Sequence, residues 1–269
     1  MNGKIIRLGL IGKDVSKSTS PQIHTFILSR FGYDCEYEKI SATTDDFDNQ
    51  IRRLLGDFDG FNVTIPYKRD IFEYLDEIVG DAFGFGAVNT VVSANRTGYN
   101  TDGIGFLQML AYADVSVKDK KVLVLGAGGS GRSSASSLKK AGATVFMYRR
   151  NQDELKETCA QLGVLPASDI KKGGYDIVIN CTGVGMHDTE GVSPVKESVF
   201  DGACVAVDLI YEPQESAFLR QAKKRGLQTL NGASMLFFQA YYADCLFTQR
   251  QLNSEEAISL YNEYLMAKK

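Results

Sequence analysis

Apolar and polar positions follow two regimes along this chain, and the change falls near residue 103. In the first, short apolar runs are separated by segments of helical spacing. Residues 5–11 form a mostly apolar run closed by Gly12, as expected of a buried strand. Ser20 and Pro21 supply an N-cap and a first-turn proline for a helix that runs to Phe31 and stops at Gly32. Residues 35–40 alternate as a strand does. Between 44 and 55, apolar side chains fall at Phe47, Ile51, Leu54 and Leu55, one face of a helix. A strand is predicted over 61–65, with Pro66 ending it and opening a further helix. Residues 88–93 and a partner near Tyr99 predict a hairpin about the Asn95-Arg96-Thr97-Gly98 turn.

The second regime alternates more regularly. A helix over 104–112 leads to a strand at 121–125, a helix at 132–141, a strand at 144–148 and a helix at 152–162. Strands at 176–180 and 204–209, a helix at 215–225 and a strand at 228–230 follow. This spacing predicts a parallel, doubly wound sheet. Two closing helices, 233–249 and 254–266, have no strand partners and must pack on another element. The fold class expected is α/β in two domains: residues 1–103, completed by 237–269, and a Rossmann-type domain over 104–236.

A length of 269 residues suits two domains of ordinary size, and 44% hydrophobic with 23% charged residues is the balance of a globular protein with sizeable cores. A formal net charge of −3 argues against a nucleic-acid partner, which selects a basic face. The lysine pairs Lys139–Lys140 and Lys223–Lys224 fall at helix ends, where they complement the helix dipole. Five scattered cysteines without a CxxC pair form neither a disulfide framework nor a zinc site, and they fit a reducing cytoplasm. The first residues lack a signal peptide's architecture. No apolar stretch approaches the ~20 residues that span a membrane. His24 and His187 are the only histidines and suggest no metal site; His24 reads as a packing or hydrogen-bonding residue.

Two segments carry candidate chemistry. Lys68 follows Pro66 at the end of Phe61–Lys68, and Asp102 stands among Asn100, Thr101 and Gly103. A lysine and a carboxylate brought together can pass a proton to or from a substrate oxygen, although Asp102 alone also suits a helix N-cap. About 20 residues beyond Asp102 comes a glycine loop, Gly126-Ala127-Gly128-Gly129-Ser130-Gly131, with an apolar strand before it and a helix after it. In that context GxGxxG is a dinucleotide site, its glycines allowing a pyrophosphate to approach backbone N–H groups at the helix start. The end of the next strand reads Tyr148-Arg149-Arg150, with no acid until Asp153. Two guanidiniums suit a 2′-phosphate and cannot accept from a ribose hydroxyl, so the cofactor predicted is NADP.

These segments fall among motifs that together resemble the shikimate dehydrogenase family over nearly the whole chain. They are Ser18-Thr19-Ser20-Pro21-Gln22-Ile23-His24, Asn62-Val63-Thr64-Ile65-Pro66-Tyr67-Lys68, Gly86 to Thr90 and Asn100 to Gly105. Asn180-Cys181-Thr182 with Gly185-Met186, Asp208 to Tyr211 and Gly232 to Gln239 complete the set. The resemblance implies reversible NADPH-dependent reduction of 3-dehydroshikimate to shikimate, in aromatic amino-acid biosynthesis. By motif position, Ser18, Ser20 and Tyr211 hold the substrate carboxylate. Thr64, Lys68, Asn89, Asp102 and Gln239 surround the ring hydroxyls, with Lys68 and Asp102 as the catalytic pair. It also implies that Thr182, Gly232 and Met235 join the glycine loop, Arg149 and Arg150 in holding NADP. The first domain is then the substrate domain. Cys181 and Met186, like Met235, are expected to supply small or apolar surface near the cofactor rather than chemistry.

The chain departs from the family pattern at Lys13-Asp14, at Lys17 in place of a histidine, at Thr25, at Ser130 and at Tyr148-Arg149-Arg150. The first of these alter the carboxylate loop and bear on substrate identity, while the second arginine strengthens the case for a 2′-phosphate. The rivals to weigh are a quinate/shikimate dehydrogenase using NAD and a non-catalytic NADP-binding regulator. The partners expected are small molecules, with neither nucleic acid nor membrane, for a monomer or homodimer.

Overall fold

The computed structural model of the chain describes residues 4–80, 82–170 and 173–268. The chain divides into two units, Met1–Gly105 with Phe237–Lys269, and Phe106–Leu236.

The first unit is organised by β1 (Lys4–Gly12), whose Ile6, Leu8, Leu10 and Ile11 are buried. Helix α1 (Ser20–Arg30) carries the chain to β2 (Tyr33–Ser41), parallel to β1, and α2 (Phe47–Asp57) to β3 (Gly60–Val63), parallel to β1 on its other side. After a short β4 (Glu77–Ile78) and α3 (Ala82–Phe85), the sheet continues through β5 (Thr90–Val92) and β6 (Thr97–Tyr99). Its order is β2-β1-β3-β5-β6-β4, with β3–β5 and β5–β6 antiparallel, so the sheet is mixed. The predicted hairpin is present, and Arg96 takes a left-handed conformation in its turn (φ 47°). Ile11, Ile51, Leu54, Phe61, Ile71, Val88 and Val91 fill the core beneath, each contributing about 1.5–3 kcal/mol of burial.

The expected helix after Pro66 is instead a turn followed by a 3₁₀ helix, Asp70–Tyr74. Tyr67 explains the change: it is buried, its ring stacks on Phe47 at 4.2 Å, and its hydroxyl donates to Ala42 O at 2.7 Å. The Lys68 carbonyl is also taken, by Val88 N–H at 2.8 Å, and cannot serve a helical repeat. The cap of α1 differs as well. Thr19 occupies the N-cap position, and Ser20 is the first helical residue, its N–H donating to Ser18 Oγ at 3.2 Å.

Helix α4 (Asp102–Tyr112) leads into the second unit. Here β7 (Lys121–Leu125), α5 (Gly129–Lys140), β8 (Thr144–Tyr148), α6 (Gln152–Leu162) and β9 (Leu165–Pro166) form one half. The chain then returns to the other side of β7 with β10 (Ile177–Asn180), β11 (Val205–Asp208), α7 (Ala217–Lys224) and β12 (Gln228–Asn231). The order is β12-β11-β10-β7-β8-β9 and every pairing is parallel, which is the doubly wound sheet predicted. Strands β10 and β11 are buried throughout, consistent with their unbroken apolar runs. The strand order reverses between β7 and β10, the point at which open α/β sheets receive ligands. Strands β4 and β9 and helix α3 span two to four residues, too few for a periodic signal.

The closing helices, α8 (Ala233–Phe247) and α9 (Ser254–Ala267), pack on α1. Phe26 meets Tyr264 at 5.1 Å and Phe237 meets Tyr261 at 5.1 Å between ring centroids. Among the described residues no helix is long and apolar enough to cross a membrane.

Candidate active site

Four of the predicted residues meet in the first unit. Lys68 leaves the turn anchored by Tyr67, and its Nζ lies 2.5 Å from Asp102 Oδ2, with side chains only 14% and 9% exposed. Asp102 is the first residue of α4 rather than its N-cap. Its N–H donates to Asn100 Oδ1 at 3.0 Å, which leaves the carboxylate for Lys68 and Asn89. Asn89 Nδ2 donates to Asp102 Oδ1 at 2.7 Å and lies 3.5 Å from Gln239 Oε1. Gln239 comes so near because Gly105 has no side chain: a Cβ there would stand 2.6 Å from Gln239 N.

The orientation of Asn89 is fixed by groups that only donate or only accept. Thr101 N–H donates to Asn89 Oδ1 at 2.8 Å, so the amide nitrogen must face the carboxylate. Behind it, Thr90 Oγ1 donates to the same oxygen at 2.9 Å and accepts from Asn62 Nδ2 at 3.3 Å. Tyr37 donates to Asn62 Oδ1 at 2.9 Å. Ser18 donates to Ser20 at 3.1 Å. Thr64 lies half-buried just after β3, its N–H on Ile11 O and its carbonyl accepting from Tyr67 N–H. Lys17 is exposed.

Under this network His24 and Asp244 form a fully buried pair, Nδ1 to Oδ1 at 2.6 Å, with His24 stacked on Tyr37 at 4.8 Å. Burial pushes the Asp244 carboxyl up to about 6, with His24 pulling it back. His24 is therefore the hydrogen-bonding residue expected. Asp244, Tyr37 and Asn62 escape sequence reasoning as structural partners, because each acts across elements that are far apart in the chain.

In the second unit the glycine loop lies at the switch point. Gly126 (φ 98°) takes a conformation that favours glycine, and a Cβ on it would stand 3.0 Å from Cys181 O. A Cβ on Gly131 would stand 2.3 Å from Gly126 O, whereas one on Gly128 would meet nothing within 4 Å. The first and third glycines are thus required by the fold, and the second leaves a cradle that a side chain would fill. Helix α5 begins at Gly129 with no side-chain cap and no acid in its first turn, so its amide groups suit an anion. The start earlier than predicted reflects a first turn with no apolar side chain to reveal it. Ala127 and Ser130 are half-buried in the same loop.

Asn180, Asp208 and Ser216 order the neighbouring loops. Asn180 Oδ1 accepts from Thr182 N and Oγ1 at 3.0 and 2.6 Å, and Asn180 Nδ2 donates to Asp208 Oδ1 at 3.0 Å. Ser216 donates to Asp208 Oδ2 at 2.6 Å while capping α7. Burial raises the Asp208 carboxyl, and the bonds from Ser216, Ile210 N–H and Asn180 counter it. Gly232 is packed against the end of β11, where a Cβ would stand 2.0 Å from Leu209 O; Met235 is buried just beyond it, and Tyr211 lies three residues past β11. Burial also pushes the Cys181 thiol up, against a nucleophilic role.

The second unit, doubly wound with a glycine cradle at its switch point, and the first, an α/β unit with a lysine–carboxylate pair, are those of a nucleotide-dependent dehydrogenase. Residues 10–91 match the model of the shikimate dehydrogenase substrate binding domain. A shikimate dehydrogenase (NADP(+)) of Clostridium botulinum is 38% identical over 241 residues, covering 87% of this chain and 93% of that protein. Another, of Caldicellulosiruptor saccharolyticus, is 39% identical over 254 residues, covering 88% and 90%. Among solved structures, shikimate 5-dehydrogenase of Thermus thermophilus in complex with NADP(H) and shikimate superposes with a TM-score of 0.88 at 31% identity, covering 96% and 99%. The chain belongs to the shikimate dehydrogenase family.

Proposed function

We propose that this chain reduces 3-dehydroshikimate to shikimate, reversibly and with NADPH, in aromatic amino-acid biosynthesis. The observation that carries this reading is the Lys68–Asp102 pair at 2.5 Å, flanked by Asn89 and Gln239. The unit completed by the C-terminal helices takes the substrate, as residues 1–103 with 237–269, and the doubly wound sheet of 104–236 takes the cofactor.

Ser18 and Ser20, beside the start of α1, donate to the substrate carboxylate with help from Tyr211; the helix dipole favours an anion there. Thr64, Asn89 and Gln239 bond ring hydroxyls. NADPH, when bound, supplies the hydride. As the carbonyl is reduced, charge gathers on its oxygen, and the Lys68 ammonium donates a proton to that oxygen. Asp102 holds Nζ in place, and Asn89 holds Asp102. In oxidation the same proton returns to Lys68. The residues fit the cofactor: Gly126 to Gly131 with the α5 amides for the pyrophosphate, Arg149 and Arg150 for the 2′-phosphate, and Thr182, Gly232 and Met235 around the remainder. Five free thiols, at Cys35, Cys159, Cys181, Cys204 and Cys245, support a cytoplasmic setting, and a monomer or homodimer is the assembly expected.

Following nicotinamide absorbance with shikimate or quinate, each with NADP or NAD, tests this reading. Shikimate with NADP should give the highest kcat/KM, and quinate with NAD as the best pair would overturn it. Lys68→Ala should lower kcat about 10²–10⁴-fold while both ligands still bind; an unchanged kcat removes Lys68 from the chemistry.

A further inference from the structure

The sequence shows no acid at the end of β8 before Asp153, yet the fold brings one to that point. Arg149, Arg150 and Asn151 lead from β8 into α6, and Asn151 Oδ1 caps the helix by accepting from Asp153 and Glu154 N–H at 3.2 and 3.3 Å. Glu154 reaches back to the N-cap side chain. Its Oε1 accepts from Asn151 Nδ2 at 2.6 Å, and its Oε2 lies 2.5 Å from Arg149 Nη2. Gln152 Nε2 donates to Arg149 O at 2.7 Å and ties down the same turn. The Arg149 and Glu154 side chains are 33% and 54% exposed, so a ligand arriving at the strand end can reach both.

One position therefore carries two opposed chemistries. Arg149 and the exposed Arg150 donate to a phosphate dianion. Glu154 offers an acceptor, which a ribose hydroxyl can use and which repels a phosphate. Resting on the NADP reading above, we propose that Glu154 sets the ribose selectivity of this chain: it engages Arg149 and presents a carboxylate, weakening the hold on a 2′-phosphate and admitting a 2′-hydroxyl, so that NAD binds alongside NADP. Glu154 also props Arg149, but an exposed ion pair contributes little to position. A full negative charge beside an incoming dianion is the larger effect.

Calorimetric titration with adenosine 2′,5′-bisphosphate and with 5′-AMP, at fixed ionic strength, reads this directly without turnover. Glu154→Gln removes the charge and keeps an acceptor, so the bisphosphate should bind about three- to tenfold more tightly while AMP stays within about twofold. Glu154→Ala removes the acceptor too, and AMP should weaken by about threefold or more. A Glu154→Gln variant that binds the bisphosphate no better than wild type overturns the proposal, since Glu154 then acts only as a prop. Wild-type protein that binds neither probe overturns the NADP reading along with it, a result distinct from equal binding by wild type and variant.

Discussion

The Tyr37 hydroxyl donates to Asn62 Oδ1 at 2.9 Å, and this bond anchors a run of side chains that ends at the Lys68–Asp102 pair. From Asn62 the run continues through Thr90 and Asn89 to Asp102 Oδ1, leaving Oδ2 for Lys68. Tyr37→Phe deletes one hydroxyl and leaves the buried Asn62 oxygen without this donor, at a cost of about 1–3 kcal/mol. Melting temperature should fall, and kcat should fall about three- to tenfold through a less firmly held Asp102. Thermal melts with steady-state kinetics check this; a destabilised variant with wild-type kcat limits Tyr37 to packing.

Asp244 gives a pH dependence of defined sign. Its carboxyl is raised from 3.8 to about 6 by burial, so its stabilising contribution is complete below 3.8 and is lost as pH rises through about 6. Asn at this position stays neutral throughout. Asp244→Asn should therefore gain stability relative to wild type between about pH 4 and pH 7, in denaturant titrations at each pH. A wild type that gains on the variant over that window would show that attraction to His24 outweighs desolvation.

Gly128 and Gly131 should separate ligand binding from folding. Gly131→Ala places a Cβ against Gly126 O and must displace the loop, so melting temperature and NADP affinity should both fall. Gly128→Ala meets open space, and its melting temperature should stay within a few degrees. Its NADP affinity should nevertheless fall about tenfold or more, because the methyl occupies the pyrophosphate's approach. Unchanged binding by Gly128→Ala would move the pyrophosphate away from this loop.

Ser216 serves two partners at once, as the cap of α7 and as a donor to Asp208. Ser216→Ala should cost about 2–3 kcal/mol, from a lost cap and a buried carboxylate short of one donor. Equilibrium urea unfolding measures it, and a loss no larger than a cap alone would mean that Asp208 finds a replacement donor.

The second unit was largely legible in the sequence. Its central strands β7, β10 and β11 are buried almost throughout and therefore run largely apolar, and β7, the glycine loop and α5 adjoin in the chain. The turn after Pro66 was not, because the burial of Tyr67 and the use of the Lys68 carbonyl by Val88 are tertiary facts that override local helical preference. Nor was the start of α1, where Thr19 takes the N-cap position and the Ser20 N–H donates to Ser18 Oγ.

The sequence by itself determined the two α/β units, the glycine loop and which residue types carry the chemistry, since those are written in neighbouring positions and local periods. Only the tertiary structure decided that Lys68 meets Asp102 across 34 residues, that Asp244 meets His24 across 220, and that Glu154 turns back onto Arg149. Such bonds depend on how elements settle against one another, and burial within about 3 Å of a partner leaves no periodic trace along the chain.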